Sequence, residues 1–142
     1  MDETDLIKTM ELDEPFLKMS MKAYPYLKGF VEPGVNEWWC EGYHLGAKDF
    51  GHGTFRTDIH LFIDPPLTKN ERFQVYTQDI LQKIYKKILK VAYDGDVLLA
   101  FHDWVLQDVK RQNLTFNRMW LCFLMEKCFH KFWDGTDWEA ME

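Results

Sequence analysis

At 142 residues, 46% of them apolar and 28% charged, the chain has the composition of one globular domain, long enough to bury a core without disulfides or metal. Its net charge of −6 argues against nucleic acid as a default partner, since phosphate contacts need local positive charge. The longest apolar run, 119–125, is far short of the ~20 residues that cross a bilayer, so no membrane association is expected.

Asp13-Glu14-Pro15 is a good helix start, with acids at the positive end of the dipole and proline in the first turn. The spacing predicts a helix over 14–24, stopped by Pro25. A hairpin over about 37–64 follows. Thr54 to Asp64 alternates with period two, Phe55, Thr57, Ile59, Leu61 and Ile63 on one face and Arg56, Asp58, His60 and Phe62 on the other. Glu37 to Ala47 is its expected partner strand, with Lys48–Gly53 as the loop.

Thr68-Lys69-Asn70-Glu71 fits a capping box, and Phe73, Tyr76, Ile80, Ile84, Ile88 and Val91 then recur three and four apart. This predicts a helix over 69–92, stopped at Asp94-Gly95 and carrying Lys83, Lys86, Lys87 and Lys90 on its solvated face. The short apolar run 97–102 reads as a strand, and Trp104 to Arg111 as a short helix or a further strand. Thr115 to Trp133 is apolar nearly all round and ends at Asp134-Gly135. A buried helix over 115–133 is expected, with a strand over 119–125 as its competitor. The fold class is α+β: a single domain with an antiparallel or mixed sheet and helices mainly on one face.

Among candidate catalytic groups, His44 and His60 would face each other if the hairpin loop centres near His52. His60 shares its strand face with Asp58, and His102 precedes Asp103. Such a group would suit a zinc or iron site, or acid–base work in which an aspartate orients a histidine. No H-x-H, H-E-x-x-H or H-x₃₋₅-H spacing supports it, so neither metal nor other cofactor is expected. His52-Gly53-Thr54 is half of the paired motif that two-histidine phosphoesterases need, and the second half is missing. Ser20 is the only serine, which removes a Gly-x-Ser-x-Gly elbow, and the glycines do not form a phosphate loop. Cys40, Cys122 and Cys128 are odd in number and lack Cys-x-x-Cys spacing. They suit a reducing compartment, and Cys122 and Cys128 suit the core. The N-terminal Met-Asp-Glu-Thr-Asp has no secretory character, and a cytoplasmic location is expected.

The charge is uneven. Residues 1–14 hold six acids against Lys8 alone, residues 134–142 hold four acids and no base, and 68–92 is basic. Glu37, Trp38, Trp39, Glu41 and Tyr43 form an acidic-aromatic segment in which strand alternation sends the two tryptophans to opposite sides. Trp133 and Trp138 beside Asp134, Asp137 and Glu139 make a second. Aromatic anchors ringed by carboxylates suit a basic partner. The leading expectation is a non-enzymatic binding protein, an inhibitor of the immunity or phage counter-defence type, that engages a basic surface on another protein. The alternative is a small metal-dependent or acid–base hydrolase-like enzyme built on His60, His102 and Asp58 or Asp103. A homo-oligomeric structural subunit is the third reading.

Overall fold

The structure is a computed structural model that describes residues 14–31, 38–42, 59–62 and 72–141. Helix α1 spans Glu14–Leu27 and buries Phe16, Leu17, Met19, Ala23 and Leu27 along one side. It runs three residues past the expected end at 24, with Pro25 inside it. Proline removes one hydrogen bond and strains the preceding turn, while burying Leu27 completely contributes on the order of 2 kcal/mol to holding that turn in place. A 3-10 turn over Lys28–Phe30 follows.

Three antiparallel strands come next, with β1 (Trp38–Gly42) between β2 (Ile59–Phe62) and β3 (Arg72–Val75). The β1–β2 pair lies within the expected hairpin, but its register differs. His60 stands opposite Glu41, three residues from the expected partner His44. The expected pairing assumed a loop centred on His52, and the register places the middle of the connection elsewhere.

The helix expected over 69–92 is corrected. Its first part is β3, whose Arg72–Val75 pair with Glu41–Trp38 on the free edge of β1. Phe73 and Tyr76 fit helical spacing, but Phe73 and Val75 also alternate. Pairing satisfies a row of β1 backbone groups that would otherwise be left at an edge. The proposed cap at 68–71 lies outside the described residues. The helix itself, α2, is Gln78–Leu89. Thr77 is extended at its N-cap, and the Thr77 hydroxyl donates to the Asp79 carboxylate. The helix ends at Lys90 in the left-handed region (φ 56°), where the Val91 N–H reaches back to the Lys86 carbonyl at 3.1 Å.

Asp94-Gly95 does not stop a helix but opens one. Helix α3 (Asp94–Leu106) replaces the strand expected over 97–102. Asp94 and Asp96 sit in its first turn, where they complement the dipole. Val97, Phe101 and Trp104 fall four and three residues apart on the side that meets the core. A second 3-10 turn, Val109–Asn113, ends the segment left between helix and strand, and its helical alternative is the one realised in part.

Helix α4 (Phe116–Phe129) begins at Thr115, whose hydroxyl accepts from the Arg118 N–H at 3.4 Å, and ends at His130 (φ 54°). The helix therefore prevails over the strand alternative at 119–125, but it stops four residues before the expected end at 133. Lys131–Trp133 form β4, paired with β5 (Trp138–Ala140) in a small second sheet. Asp134-Gly135 is the turn of that hairpin. Gly135 takes a positive φ of 107°, and the Asp134 carboxylate accepts from the Thr136 and Asp137 N–H groups at 2.7 and 2.8 Å. These two backbone bonds, Asp137 first, hold that carboxyl below its ordinary pKa.

The four helices, Val75 at the end of β3, Tyr76 and Trp138 enclose the core. An aromatic cluster forms its centre. Phe101 stacks on Trp120 with centroids 4.0 Å apart, Phe123 meets both edge-on, and Tyr85 stacks on Phe123 at 5.0 Å. The Trp138 indole N–H donates to the Met19 carbonyl at 3.1 Å, tying the last hairpin to α1.

Candidate functional site

Helix α3 has two unlike sides. The inner side packs Val97, Phe101 and Trp104 against the core. The outer side keeps Leu98 44% exposed, Leu99 60% and Leu106 58%, and the following turn presents Val109 at 74%. At 100° per residue, Leu98, His102, Leu106 and Leu99 fall within one arc of about 100°, so they form a continuous stripe. A side chain built at Gly95, on the same stripe, would meet nothing within 4 Å. Asp96 and Asp103 are exposed along one flank of the stripe. Residues 93–108 contain four aspartates and neither lysine nor arginine, so the apolar stripe has an acidic setting. Asp94 is paired with Lys86 at 3.1 Å, and the Asp108 carboxylate accepts from the Lys110 N–H at 3.0 Å. These two acids serve the helix ends.

A second feature is a cleft of about 240 Å³ lined by Pro15, Met19, Trp104, Arg111, Leu114, Arg118, Cys122, Glu126, Phe132 and Trp133. Its polar residues brace the fold. The Trp104 indole N–H donates to Glu126 Oε2 at 2.8 Å, and Arg111 pairs with the same oxygen at 3.5 Å. Arg111 also donates to the Trp104 carbonyl, and its guanidinium lies 4.1 Å from the centre of the Trp104 ring. Arg118 Nε donates to the Thr115 hydroxyl at 3.2 Å. Burial, with Glu126 adding to it, pushes the Cys122 thiol up to about 12. Burial pushes Cys128 to about 12 as well. Both remain protonated thiols at neutral pH and are poor nucleophiles. Both pack against the core, as their apolar surroundings in sequence suggest.

The expected site residues fall on several elements, and some lie outside the described residues. Glu37, Tyr43, His44 and Asp58 lie outside the described residues. Trp38, Trp39 and Glu41 occupy β1, and His60 occupies β2 opposite Glu41. His102 and Asp103 are not at a strand end, because their segment is helical. Both are exposed on α3. Trp138 is buried and Trp133 half-buried, with their rings 5.2 Å apart, so this pair belongs to the hairpin's packing. Among the described residues no group of three or more His, Cys, Asp or Glu side chains is placed to hold a metal ion. Among them, too, no helix is long and apolar enough to cross a membrane.

The outer face of α3 was not expected from sequence. The signal that could have found it is a pair of seven-residue repeats, Leu99 with Leu106 and Asp96 with Asp103, which make sense only on a helix. No family model, no curated protein and no solved structure matches this chain.

Proposed function

We propose that this chain is a non-enzymatic binding protein, an inhibitor of the immunity or counter-defence type, that engages another protein through that partner's basic surface. The observation that carries the reading is the outer face of α3, where leucines 44–60% exposed lie beside Asp96 and Asp103. Isolated exposed leucines are ordinary, but several on one stripe of one helix, with charge of one sign along one flank, make an interaction surface. Apolar contact there supplies affinity, and the carboxylates favour basic partners and repel acidic ones. The acidic-aromatic strand residues Glu37, Trp38, Trp39, Glu41 and Tyr43 would extend the same preference to a second surface. A cytoplasmic setting fits unpaired, protonated thiols at Cys122 and Cys128.

The test presents tagged wild-type chain and a Leu99→Gln/Leu106→Gln variant to an extract of the native host. A basic protein retained by the wild type, lost by the variant and released as salt rises is the expected result. Equal retention by both, or an acidic partner, would overturn the reading. Stoichiometric zinc, iron or manganese in the purified protein, lost on His60→Ala, would overturn its non-enzymatic part.

A further inference from the structure

We infer that the element recognised by the outer face of α3 is a basic amphipathic helix of the partner, lying along α3 in coiled-coil fashion. This rests on the function proposed above and narrows it from a basic surface to a helix of defined pattern.

The case begins with spacing. With Leu99 and Leu106 at position a of a heptad, Gly95 and His102 fall at d, Asp96 and Asp103 at e, and Leu98 at g. The a positions are 60% and 58% exposed, and the space over Gly95 is open, so the seam that a second helix would occupy is uncovered by the described residues. Helix α3 has 13 residues and is therefore about 20 Å long, enough for two a layers and two d layers. The small Gly95 lets a partner backbone or a bulky side chain approach near the helix start, where the leucines do not reach.

Charge then decides between occupants. A second copy docked antiparallel on the same stripe would bring Asp96 and Asp103 against their own equivalents. A parallel copy would set those aspartates against Leu98 and gain no ion pair. Lysine or arginine on the partner's flanking positions meets the e-position carboxylates in either direction. The opposite flank, formed by Leu98, asks for an apolar or long-stemmed residue. The site thus selects a helix with leucine-like residues at a and d and bases on the flank that faces Asp96 and Asp103.

The experiment titrates the full chain with synthetic helical peptides about three heptads long. One carries leucine at a and d with lysine at e and g. A second has the same composition in scrambled order, and a third has glutamate in place of lysine. The expected result is saturable binding of the first peptide, at least about tenfold tighter than the scramble and the glutamate peptide. Leu99→Gln should lower that affinity about tenfold, the scale of a truncated interface anchor, and Asp103→Lys should weaken it at low salt more than at high salt. Equal affinity for the scramble would overturn the inference, because charge alone would then account for binding. Self-association of the chain that Leu99→Gln abolishes would overturn it in favour of a second copy. Were the native partner captured and lost on Leu99→Gln/Leu106→Gln while no peptide binds, the helix would be wrong and the function proposed above would stand. Capture that is indifferent to those substitutions would sink both.

Discussion

Helices α3 and α4 are both apolar round much of their circumference, yet the fold treats them differently. Helix α4 lies among α1, α2, α3 and β4, and it buries Trp120, Leu121, Phe123, Leu124 and Met125. Helix α3 buries only Val97 and Trp104 and leaves three leucines largely in solvent. The apolar residues of α4 meet its neighbours on most sides, with Phe116 at its first turn, 43% exposed, as the exception. Those on the outer side of α3 are left in contact with solvent by the described residues, so packing within them does not account for their presence. The same residue type lies in the core on one helix and at the surface on the next, and only position tells them apart.

The largest effect that would test this contrast is Trp120→Ala. Its indole is fully buried and stacked on Phe101 at 4.0 Å, so truncation should cost about 3–5 kcal/mol in urea denaturation. A cost below about 1 kcal/mol would mean that α4 is not the centre of the core. Next comes alkaline pH. Cys122 and Cys128 on α4 are pushed up to about 12 from an ordinary 9.0. A group whose folded pKa is raised stabilises the fold fully below its unfolded pKa and loses that contribution as pH rises toward the folded value. Stability should therefore fall between pH 9 and about pH 12, and a Cys122→Ala/Cys128→Ala variant should fall less steeply over the same window. Parallel slopes for the two proteins would show that the thiols are not buried. Glu126→Ala should cost about 1–3 kcal/mol, because it leaves the Trp104 indole N–H and the Arg111 guanidinium without the carboxylate that both engage.

How much of this could be read from sequence differs by element, for physical reasons. The helix start at Glu14 is legible because local chemistry sets it, acids at a dipole end, and the helix after Thr115 is legible from the length of its apolar run. The pairing of β1 with β2 was legible from alternation, but its register was not, because a long connection leaves the offset to packing. The residues of 72–75 satisfy both periods, and the unpaired edge of β1, distant in sequence, decides between them. The run 97–102 carries a strand-like pattern although it forms a helix. A helix with one side in the core and the other apolar in solvent looks locally like a strand buried on both faces. Of the candidate site, His102 and Asp103 stand on α3 and His60 on β2, an arrangement that the pattern of a strand over 97–102 does not give. The leucines around them count in sequence only as an apolar run, since an exposed leucine is indistinguishable from a core leucine until its helix is placed.

The smallest expected effect on stability bears most directly on the contrast. Leu99→Gln removes a side chain 60% exposed, so little burial is lost, and glutamine is a good helix former in the middle of α3. The unfolding free energy from thermal and urea denaturation should stay within about 0.5 kcal/mol of wild type. The same substitution at Leu121, wholly buried on α4, should unfold much of the population, since it strands an amide in the core. If Leu99→Gln instead costs more than about 1 kcal/mol with an unchanged denaturant slope, the leucine is covered by another part of this chain. The outer face of α3 would then be an internal contact and not a docking surface. If stability is untouched while partner binding falls, the leucine is kept for recognition alone, and the line between α4 and α3 is the line between what holds this protein together and what it holds.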